Sequence, residues 1–231
     1  MVCDAIKWFW QYREQATAAQ AAAGKKDQGE RSAVTSGKHM DGFLKYIRYL
    51  ATSAGLPSES VITDRNRVVL PGYMRPSKRW DVLILHKGVL LAVMELKSHI
   101  GPSFGNNFNN RTEEALGSAY DLQLACQNGV IKGPKPFLGY LMLLEDCDGS
   151  TKARRSDRTA IQAGTGAFQN SSSFEQRYDV FCQRLVSAKV YDGATLLLSS
   201  RNSSAYRESQ NSTSLTIFAR NLQKHLRGGK A

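Results

Sequence analysis

The chain has 231 residues, of which 42% are hydrophobic and 22% charged, and its formal net charge is +11. These values are those of a folded domain rather than a disordered chain, and the basic balance favours a polyanionic partner such as nucleic acid. No apolar run approaches the roughly 18 residues of a membrane span, and the N-terminus lacks the basic flank of a secretory signal, so we expect a cytoplasmic protein without a membrane partner.

The first part of the chain is predicted to be helical. Apolar residues recur at helical spacing over 4–23 and 40–54, and a polar, Gly-rich loop separates the two predicted helices over 24–39. Beyond Pro57, residues 60–71 are predicted to be extended, and a turn-rich basic link follows.

The middle of the chain is rich in predicted strands. The segment "WDVLILHKGVLLAVMELKS" (80–98) has two β-rich apolar runs around a short turn, which predicts a β-hairpin. The segment "PFLGYLMLLEDC" (136–147) is continuously apolar, which predicts a strand in the centre of a sheet. A helix is predicted between them, over 111–128.

The last third begins with a long basic loop over 148–173, which we expect to be mobile or ordered only by a partner. Further predicted elements are a helix, a strand and a helix, over 174–189, 193–199 and 214–227. This order of elements predicts a mixed α/β fold in which a central mixed β-sheet is flanked by helices.

We expect a single domain spanning 1–231. Its predicted parts are a helical N-terminal part, a core with the hairpin and the central strand, and a C-terminal part with the basic loop, over 1–57, 58–147 and 148–231.

An acid and a lysine, Glu95 and Lys97, end the second strand of the hairpin. Side chains two apart in a strand share a face, and Leu96 points to the other. If the turn has three residues, 86–88, then Asp81 lies opposite Val93 and shares the face of Glu95 and Lys97; a two-residue turn would put it on the opposite face.

Two carboxylates on one strand face suit a hard cation such as Mg²⁺, and a nearby lysine can position an attacking water or offset the charge of a phosphate. About one acid-x-lysine match is expected by chance in such a chain, so the tripeptide alone is weak evidence. A salt-bridged pair on an exposed strand face is the alternative interpretation.

The asparagine run "SFGNNFNN" follows a Gly-Pro break. Asparagine offers both a donor and an acceptor, which matches the major-groove edge of adenine as well as backbone phosphates. It also favours turns and helix starts, and Asn110 before "RTEEA" would be a sound N-cap with Glu113 at the capping-box position. We expect Asn110 to be structural and other residues of the run to face a ligand; the candidates are Ser103, Asn106, Asn107 and Asn109.

Basic residues elsewhere are further candidates for contacts with nucleic acid. Arg75 and Lys78 precede the hairpin, and Lys152, Arg154 and Arg155 lie in the basic loop; plain solvation is the alternative for each. Asp41 is a candidate additional acid or a residue that merely starts a helix. His39 and His99 are candidates for phosphate contacts, although hydrogen-bonded histidines are commoner.

The segments "GKHMDGFL", "LPGYMRPSKRWDVLIL" and "ELKSHIGPSFGNNFNNRTEEALGSAYDL" resemble the XhoI-type family of type II restriction endonucleases, within the PD-(D/E)xK nucleases. The resemblance is strong over about 29–147. It implies that Asp81, Glu95 and Lys97 are catalytic, and that Asp81 and Glu95, with the Leu96 carbonyl, bind Mg²⁺. The proline that usually precedes the aspartate is Trp80 here.

The same resemblance implies cleavage of double-stranded DNA at CTCGAG, which leaves 5′-phosphates, by a homodimer in the bacterial cytoplasm. It also implies a companion DNA methyltransferase. The residues themselves leave two alternatives open, which are a DNA-binding module with a nuclease-like core but no catalysis, and a repair or RNA nuclease of the same fold.

Overall fold

The computed structural model describes residues 1–22, 38–155, 171–209 and 213–229. Its α-helices are α1 (Val2–Ala22), α2 (Asp41–Ser53), α3 (Phe104–Gln127), α4 (Asp148–Thr151), α5 (Phe174–Ser187) and α6 (Leu215–Gly228). Its strands are β1 (Val61–Ile62), β2 (Val69–Pro71), β3 (Ser77–Arg79), β4 (Val82–His86), β5 (Val89–His99), β6 (Phe137–Glu145), β7 (Arg154–Arg155), β8 (Ser171–Ser172), β9 (Gly193–Ser199) and β10 (Arg207–Glu208). Short 3₁₀ turns cover Lys38–Met40 and Ser58–Ser60.

Six strands form a mixed sheet in the order β1-β4-β5-β6-β9-β10. The pairs β5–β6 and β6–β9 are parallel, and the other pairs are antiparallel. All nine residues of β6 are buried, which confirms the prediction of a central strand. One apolar cluster packs α1, α2 and α6 on one face of this sheet, and a second packs α3 and α5 on the other. The predicted mixed α/β fold with flanking helices is therefore confirmed.

The helices of the first face follow their apolar spacing. In α2 the buried residues are Phe43, Ile47, Leu50 and Ala51, and in α6 they are Leu215, Phe218, Leu222 and Leu226. These positions recur every three or four residues, so each helix presents one apolar stripe to the sheet. Within the described part of the chain, no helix is both long enough and apolar enough to cross a membrane.

Helix α3 begins earlier than predicted. It starts at Phe104, not near 111, so the asparagine run lies inside the helix and the expected N-cap at Asn110 is wrong. Asparagine and glycine favour turns, but Phe104 and Phe108 lie one helical turn apart and both pack against the aromatic rings of α5. This packing outweighs the weak helix propensity of the amides.

Two segments that the sequence predicts to be loops contain short secondary-structure elements. The basic link before the hairpin forms a small antiparallel pair, β2–β3, and part of the predicted basic loop forms α4 and the short pair β7–β8. The rest of that loop, 156–170, and most of the predicted loop over 24–39 lie outside the described residues.

Candidate active site

The hairpin β4–β5 brings Asp81 to the face of Glu95 by a route that differs from the prediction. The turn has two residues, Lys87 and Gly88, both with positive φ, rather than three. A β-bulge between Ile84 and Leu85 shifts the register by one residue, so that Val82 pairs with Met94. One step further, Asp81 lies level with Glu95. The three-residue turn is therefore wrong, but the shared face is as predicted because the bulge restores the parity that the shorter turn removes.

The two acids and Lys97 lie within contact distance of each other. Lys97 Nζ is 3.6 Å from Glu95 Oε1 and 3.8 Å from Asp81 Oδ2. The Leu96 backbone N–H donates a hydrogen bond of 2.8 Å to Asp81 Oδ2. This bond fixes the Asp81 carboxylate against the edge of β5, where β4 has not yet begun.

The Leu96 carbonyl is directed toward the same side as Asp81. Met94 accepts a hydrogen bond from Asp81 N–H, so its carbonyl points toward the chain that leads into β4. Backbone groups two residues apart in a strand point to the same neighbour, and the bond from Leu96 N–H to Asp81 agrees with this direction. The Leu96 carbonyl is thus available beside the two carboxylates.

Glu95 is 1% exposed and is held by groups from two distant parts of the chain. Tyr191 donates its hydroxyl hydrogen to Glu95 Oε2 at 2.8 Å. Lys78 Nζ lies 2.8 Å from Oε1 as an ion pair, and no other described residue donates a hydrogen bond to Oε1. The Lys78 ammonium also lies 4.6 Å from the centre of the Trp80 ring.

Burial and the neighbouring charges shift the pKa values of the three groups of the site. Burial raises the pKa of the Asp81 carboxyl above its usual value, against the effects of the Lys97 charge and the Leu96 N–H. Burial acts on Glu95 in the same direction, but the charges of Lys97 and Lys78 hold the pKa of that carboxyl below its usual value. Burial disfavours the Lys97 ammonium, yet Glu95 and Asp81 raise its pKa. Lys97 is therefore a firmly charged ammonium, which suits it to bind anionic oxygens rather than to accept a proton.

An open cavity of about 620 Å³ gives access to this cluster. Its wall carries basic groups beside acids; the charged residues are Arg75, Lys78, Glu95, Lys97, Arg111, Glu113, Glu114 and Asp121. Arg111 extends from α3 and its Nη1 donates to Glu114 Oε2 at 2.7 Å. The ammonium groups of Lys78 and Lys97 beside the Glu95 carboxylate provide a place where a phosphate and a metal ion can lie side by side.

The donors around Asp81 and Glu95 fit Mg²⁺. No group of three or more His, Cys, Asp or Glu side chains that could hold a metal occurs among residues 1–22, 38–155, 171–209 and 213–229. Mg²⁺ does not need such a group, because it keeps several waters and commonly binds one or two carboxylates plus substrate oxygens. A buried carboxylate oxygen without a hydrogen bond, Glu95 Oε1, is a suitable ligand, with Asp81 and the Leu96 carbonyl beside it.

The hairpin β2–β3 carries Arg75 and Lys78 and is attached to α3 through Asp121. Asp121 Oδ1 accepts the backbone N–H of Tyr73 and Met74 at 3.0 and 2.6 Å, and Oδ2 accepts Arg75 Nε at 2.9 Å. The predicted DNA contact Arg75 is thus also part of an internal clamp. Lys78, predicted to contact phosphate, lies in the acid cluster itself.

The other predicted DNA contacts lie on exposed surfaces. Ser103, Asn106, Asn107 and Asn109 are exposed at the start of α3, where Asn107 Nδ2 donates to the Ser103 carbonyl at 2.7 Å. Lys152 pairs with Asp148 at 2.7 Å within α4, and Arg154 is exposed on β7. Arg155 belongs to the same short strand.

The structure does not bring the remaining candidates into the acid cluster. Asp41 begins α2, on the opposite face of the sheet, where burial raises the pKa of its carboxyl and Lys38 and Lys45 oppose that effect. His99 is 3% exposed and is bonded to Tyr178 and the Ser103 carbonyl, and His39 is 5% exposed with Nε2 at 3.5 Å from Ser98 Oγ. Both histidines are internal, so they are not placed to touch phosphate.

The sequence-based interpretation missed two residues around the acid cluster. Tyr191 follows Glu95 by 96 residues and has no local pattern that marks it. Trp80 was noted only as a departure from the proline of the resembled family, whereas the structure gives its ring a position against Lys78. The alternation of β3 indicates which face Lys78 takes, but its contact with Glu95 of β5 is a tertiary feature.

The chain is similar to known type II restriction enzymes over most of its length. The family model described as Restriction endonuclease XhoI matches residues 19–211. The chain is 41% identical to the type II restriction enzyme BstVI of Geobacillus stearothermophilus, over 88% of this chain and 94% of that protein. It is 43% identical to the type II restriction enzyme XhoI of Xanthomonas vasicola, over 78% of this chain and 72% of that protein.

A third relative is the type II restriction enzyme AbrI of Azospirillum brasilense, which is 45% identical over 67% of this chain and 69% of that protein. No solved structure matches the chain. The family match covers most of the sequence, including every residue of the acid cluster. The chain therefore belongs to the XhoI family of type II restriction endonucleases, which are site-specific deoxyribonucleases.

Proposed function

We propose that this enzyme is a Mg²⁺-dependent endonuclease that cleaves double-stranded DNA at CTCGAG and leaves 5′-phosphates. The observation that carries the proposal is the cluster of Asp81, Glu95 and Lys97, of which Glu95 and Lys97 line an open cavity that carries both basic and acidic groups. Two carboxylates would hold a metal ion there, and the surrounding ammonium and guanidinium groups would attract the phosphate of DNA.

Each residue has a distinct part in the reaction. Asp81, Glu95 and the Leu96 carbonyl would hold Mg²⁺, which supplies Lewis acidity toward a phosphate oxygen and lowers the pKa of bound water. The Lys97 ammonium donates hydrogen bonds to the attacking water or to a phosphate oxygen and stabilises the charge that develops during in-line attack. Tyr191 keeps Glu95 in a fixed rotamer, and its own pKa is raised by burial, so its hydroxyl remains a donor.

The exposed start of α3 is proposed to contact DNA next to this chemistry. Ser103, Asn106, Asn107 and Asn109 offer amide and hydroxyl groups to base edges and phosphates, and Arg75, Lys152, Arg154 and Arg155 offer charge. A palindromic site is matched most simply by two-fold protein symmetry, so we propose a homodimer, acting in the cytoplasm of a bacterium whose methyltransferase protects the same sequence.

A plasmid digest tests the proposal. Purified protein is incubated with plasmid DNA that carries CTCGAG, in Mg²⁺ and in EDTA, and the fragment ends are mapped. Discrete fragments that end at CTCGAG in Mg²⁺, and none in EDTA, are expected. Binding without cleavage, or a smear of fragments, would show that the proposed specificity or chemistry is wrong.

Lys97→Ala provides the test of mechanism. Removal of the ammonium is expected to slow cleavage by about 10³-fold, because both water and phosphate lose a charged donor. A variant that cuts at the rate of the parent in Mg²⁺ would contradict the role given to Lys97.

A further inference from the structure

Lys78 is the basic residue that lies nearest to the acid cluster without belonging to the predicted trio. Its Nζ is 2.8 Å from Glu95 Oε1, and its side chain is 16% exposed. The Trp80 ring lies 4.6 Å from the same ammonium. The antiparallel pairing of β3 with β2, where Lys78 lies opposite Leu70, sets the base of the side chain. The ammonium is therefore held at a defined place by three separate parts of the structure.

The oxygen that Lys78 contacts is the one that a metal ion needs. Glu95 Oε2 accepts the hydroxyl of Tyr191, whereas Oε1 has ion-pair partners but no hydrogen bond from the described residues. Oε1 lies 3.6 Å and Asp81 Oδ2 lies 3.8 Å from Lys97 Nζ, so a metal ion shared by the two carboxylates would bind Glu95 through Oε1. Mg²⁺ approaches its ligands to about 2.1 Å, so a metal ion and the Lys78 ammonium compete for the same oxygen.

Charge balance leads to the same conclusion. In the free protein, two carboxylates, Asp81 and Glu95, face two ammonium groups, Lys78 and Lys97. A divalent cation added to this set leaves an excess of two positive charges next to the buried Glu95 carboxylate, which repels the ammonium closest to Glu95. A DNA phosphate in the same cavity supplies the compensating negative charge, and Lys78 lines that cavity.

We propose that Lys78 is an internal counter-ion that occupies the metal-binding oxygen of Glu95 in the free enzyme and transfers to a DNA phosphate when a divalent cation binds. This inference rests on the proposed function. Lys78 is thereby a positioning residue that couples the two binding events, because metal binding releases the cation that DNA binding uses. Trp80, at the position where the resembled family usually has proline, provides the surface on which the ammonium rests.

The test uses Lys78→Met, which keeps the apolar stem and removes the charge. The matched control is Arg79→Met, which removes a neighbouring charge on the exposed face of the same strand, where Arg79 Nε donates to the Arg65 carbonyl. Ca²⁺ binding to the free proteins is measured by calorimetry. Lys78→Met is expected to bind Ca²⁺ about tenfold more tightly than the parent, and Arg79→Met within about twofold of it. Equal or weaker binding by Lys78→Met would overturn the proposal.

Binding of a CTCGAG duplex is then measured with EDTA and with Ca²⁺. In EDTA the lysine of the parent stays on Glu95, so Lys78→Met is expected to bind the duplex like the parent. With Ca²⁺ the variant is expected to bind about tenfold more weakly, because it lacks the released cation. A loss of the same size in both conditions would identify Lys78 as a simple phosphate contact and overturn the coupling.

Tryptophan fluorescence provides a readout that does not depend on DNA. Movement of the ammonium away from the Trp80 ring is expected to change the emission of the parent when Ca²⁺ is added, and Lys78→Met is expected to lack this change. If the parent cuts at CTCGAG but neither the affinities nor the emission behave in this way, the coupling is wrong and the proposed function stands. A parent that neither cuts nor binds Ca²⁺ would contradict both the coupling and the proposed function.

Discussion

Residues 95–97 and residues 99–108 are neighbours in sequence, but their polar groups have different surroundings. In the first segment, Glu95 Oε1 is buried without a hydrogen bond from the described residues other than the Lys78 contact. The ammonium groups of Lys78 and Lys97 both face this carboxylate. In the second, both ring nitrogens of His99 are satisfied, by the Tyr178 hydroxyl at 2.7 Å and the Ser103 carbonyl at 3.2 Å. The first segment holds charged groups that a ligand can engage, whereas the hydrogen bonds of the second support the fold.

The aromatic surroundings strengthen this contrast. The ring of Phe104 stacks on Phe174 with a centroid distance of 5.5 Å, and the ring of Phe108 packs edge-to-face against Tyr178 with a centroid distance of 5.0 Å. This packing fixes the start of α3, and α3 in turn carries Arg111 to the cavity. Substitutions in the two segments should therefore affect different observables, since one set alters cleavage and the other alters stability.

The largest expected effect is the loss of cleavage in Asp81→Asn. The amide keeps the size of the side chain but removes the charge that a metal ion requires, so cleavage of a CTCGAG plasmid in Mg²⁺ should fall by about 10³-fold. Glu59→Gln, in an exposed 3₁₀ turn, is the control and should cut like the parent. Equal rates for Asp81→Asn and the parent would show that residues 81 and 95–97 are not the catalytic cluster.

Phe104→Ala addresses the supporting segment. Phe104 is 3% exposed, and loss of a buried aromatic ring costs about 3–5 kcal/mol of unfolding free energy. Urea unfolding measures this cost. Tyr120→Ala, which removes an aromatic ring from the exposed side of the same helix, should stay within about 0.5 kcal/mol of the parent. Similar losses for both variants would mean that the aromatic cluster does not hold α3 in place.

Much of this architecture can be predicted from the sequence because local patterns are consistent with the fold. The apolar run of β6 and the spacing of Phe43, Ile47 and Leu50 in α2 are matched by the structure. The predicted start of α3 was wrong because Phe104 and Phe108 pack against rings of α5, about 70 residues later in the chain, and this packing favours the helix. Propensity describes the amides alone and does not include that packing.

The positions of the site residues could be predicted only where the alternation of side chains along a strand determines them. The shared face of Glu95 and Lys97 follows from the strand period, whereas the position of Asp81 depends on a turn and a bulge whose effects on parity cancel. The surroundings of Glu95 depend on Tyr191 and Lys78, which reach it through tertiary contacts. Neither contact leaves a pattern near Glu95 in the sequence.

The two buried histidines predict a pH dependence of stability. Burial, as the main cause, lowers the pKa of both His39 and His99 to about 4. Between pH 6.5 and 4 the unfolded chain takes up protons at these positions and the folded protein does not, so stability is complete above pH 6.5 and decreases as the pH falls toward 4. At pH 5 each histidine should cost about 2 kcal/mol relative to pH 7.

His99→Phe isolates this effect. The difference in unfolding free energy between pH 7 and pH 5 should shrink by about 2 kcal/mol in the variant, because residue 99 no longer takes up a proton in the unfolded chain. Urea unfolding at both pH values provides the comparison. An unchanged difference would show that His99 is not kept neutral by the fold, and the contrast between the two segments would then be weaker.

Substitution of the exposed asparagines is expected to give the smallest effect. It also separates residues of the second segment that contact DNA from residues that support the fold. Asn106 and Asn109 are exposed on the outside of α3, so alanine, which favours helix, should leave stability within about 0.5 kcal/mol of the parent or raise it slightly. If these amides contact DNA, each variant should bind a CTCGAG duplex about tenfold more weakly, in line with the loss of one base contact. Duplex affinity, measured at fixed salt, decides whether the asparagines contact DNA or only form part of the helix. Unchanged affinity together with unchanged stability would leave the amides without a role in either, and the ligand-facing surface would then have to be sought on the basic side chains of the cavity.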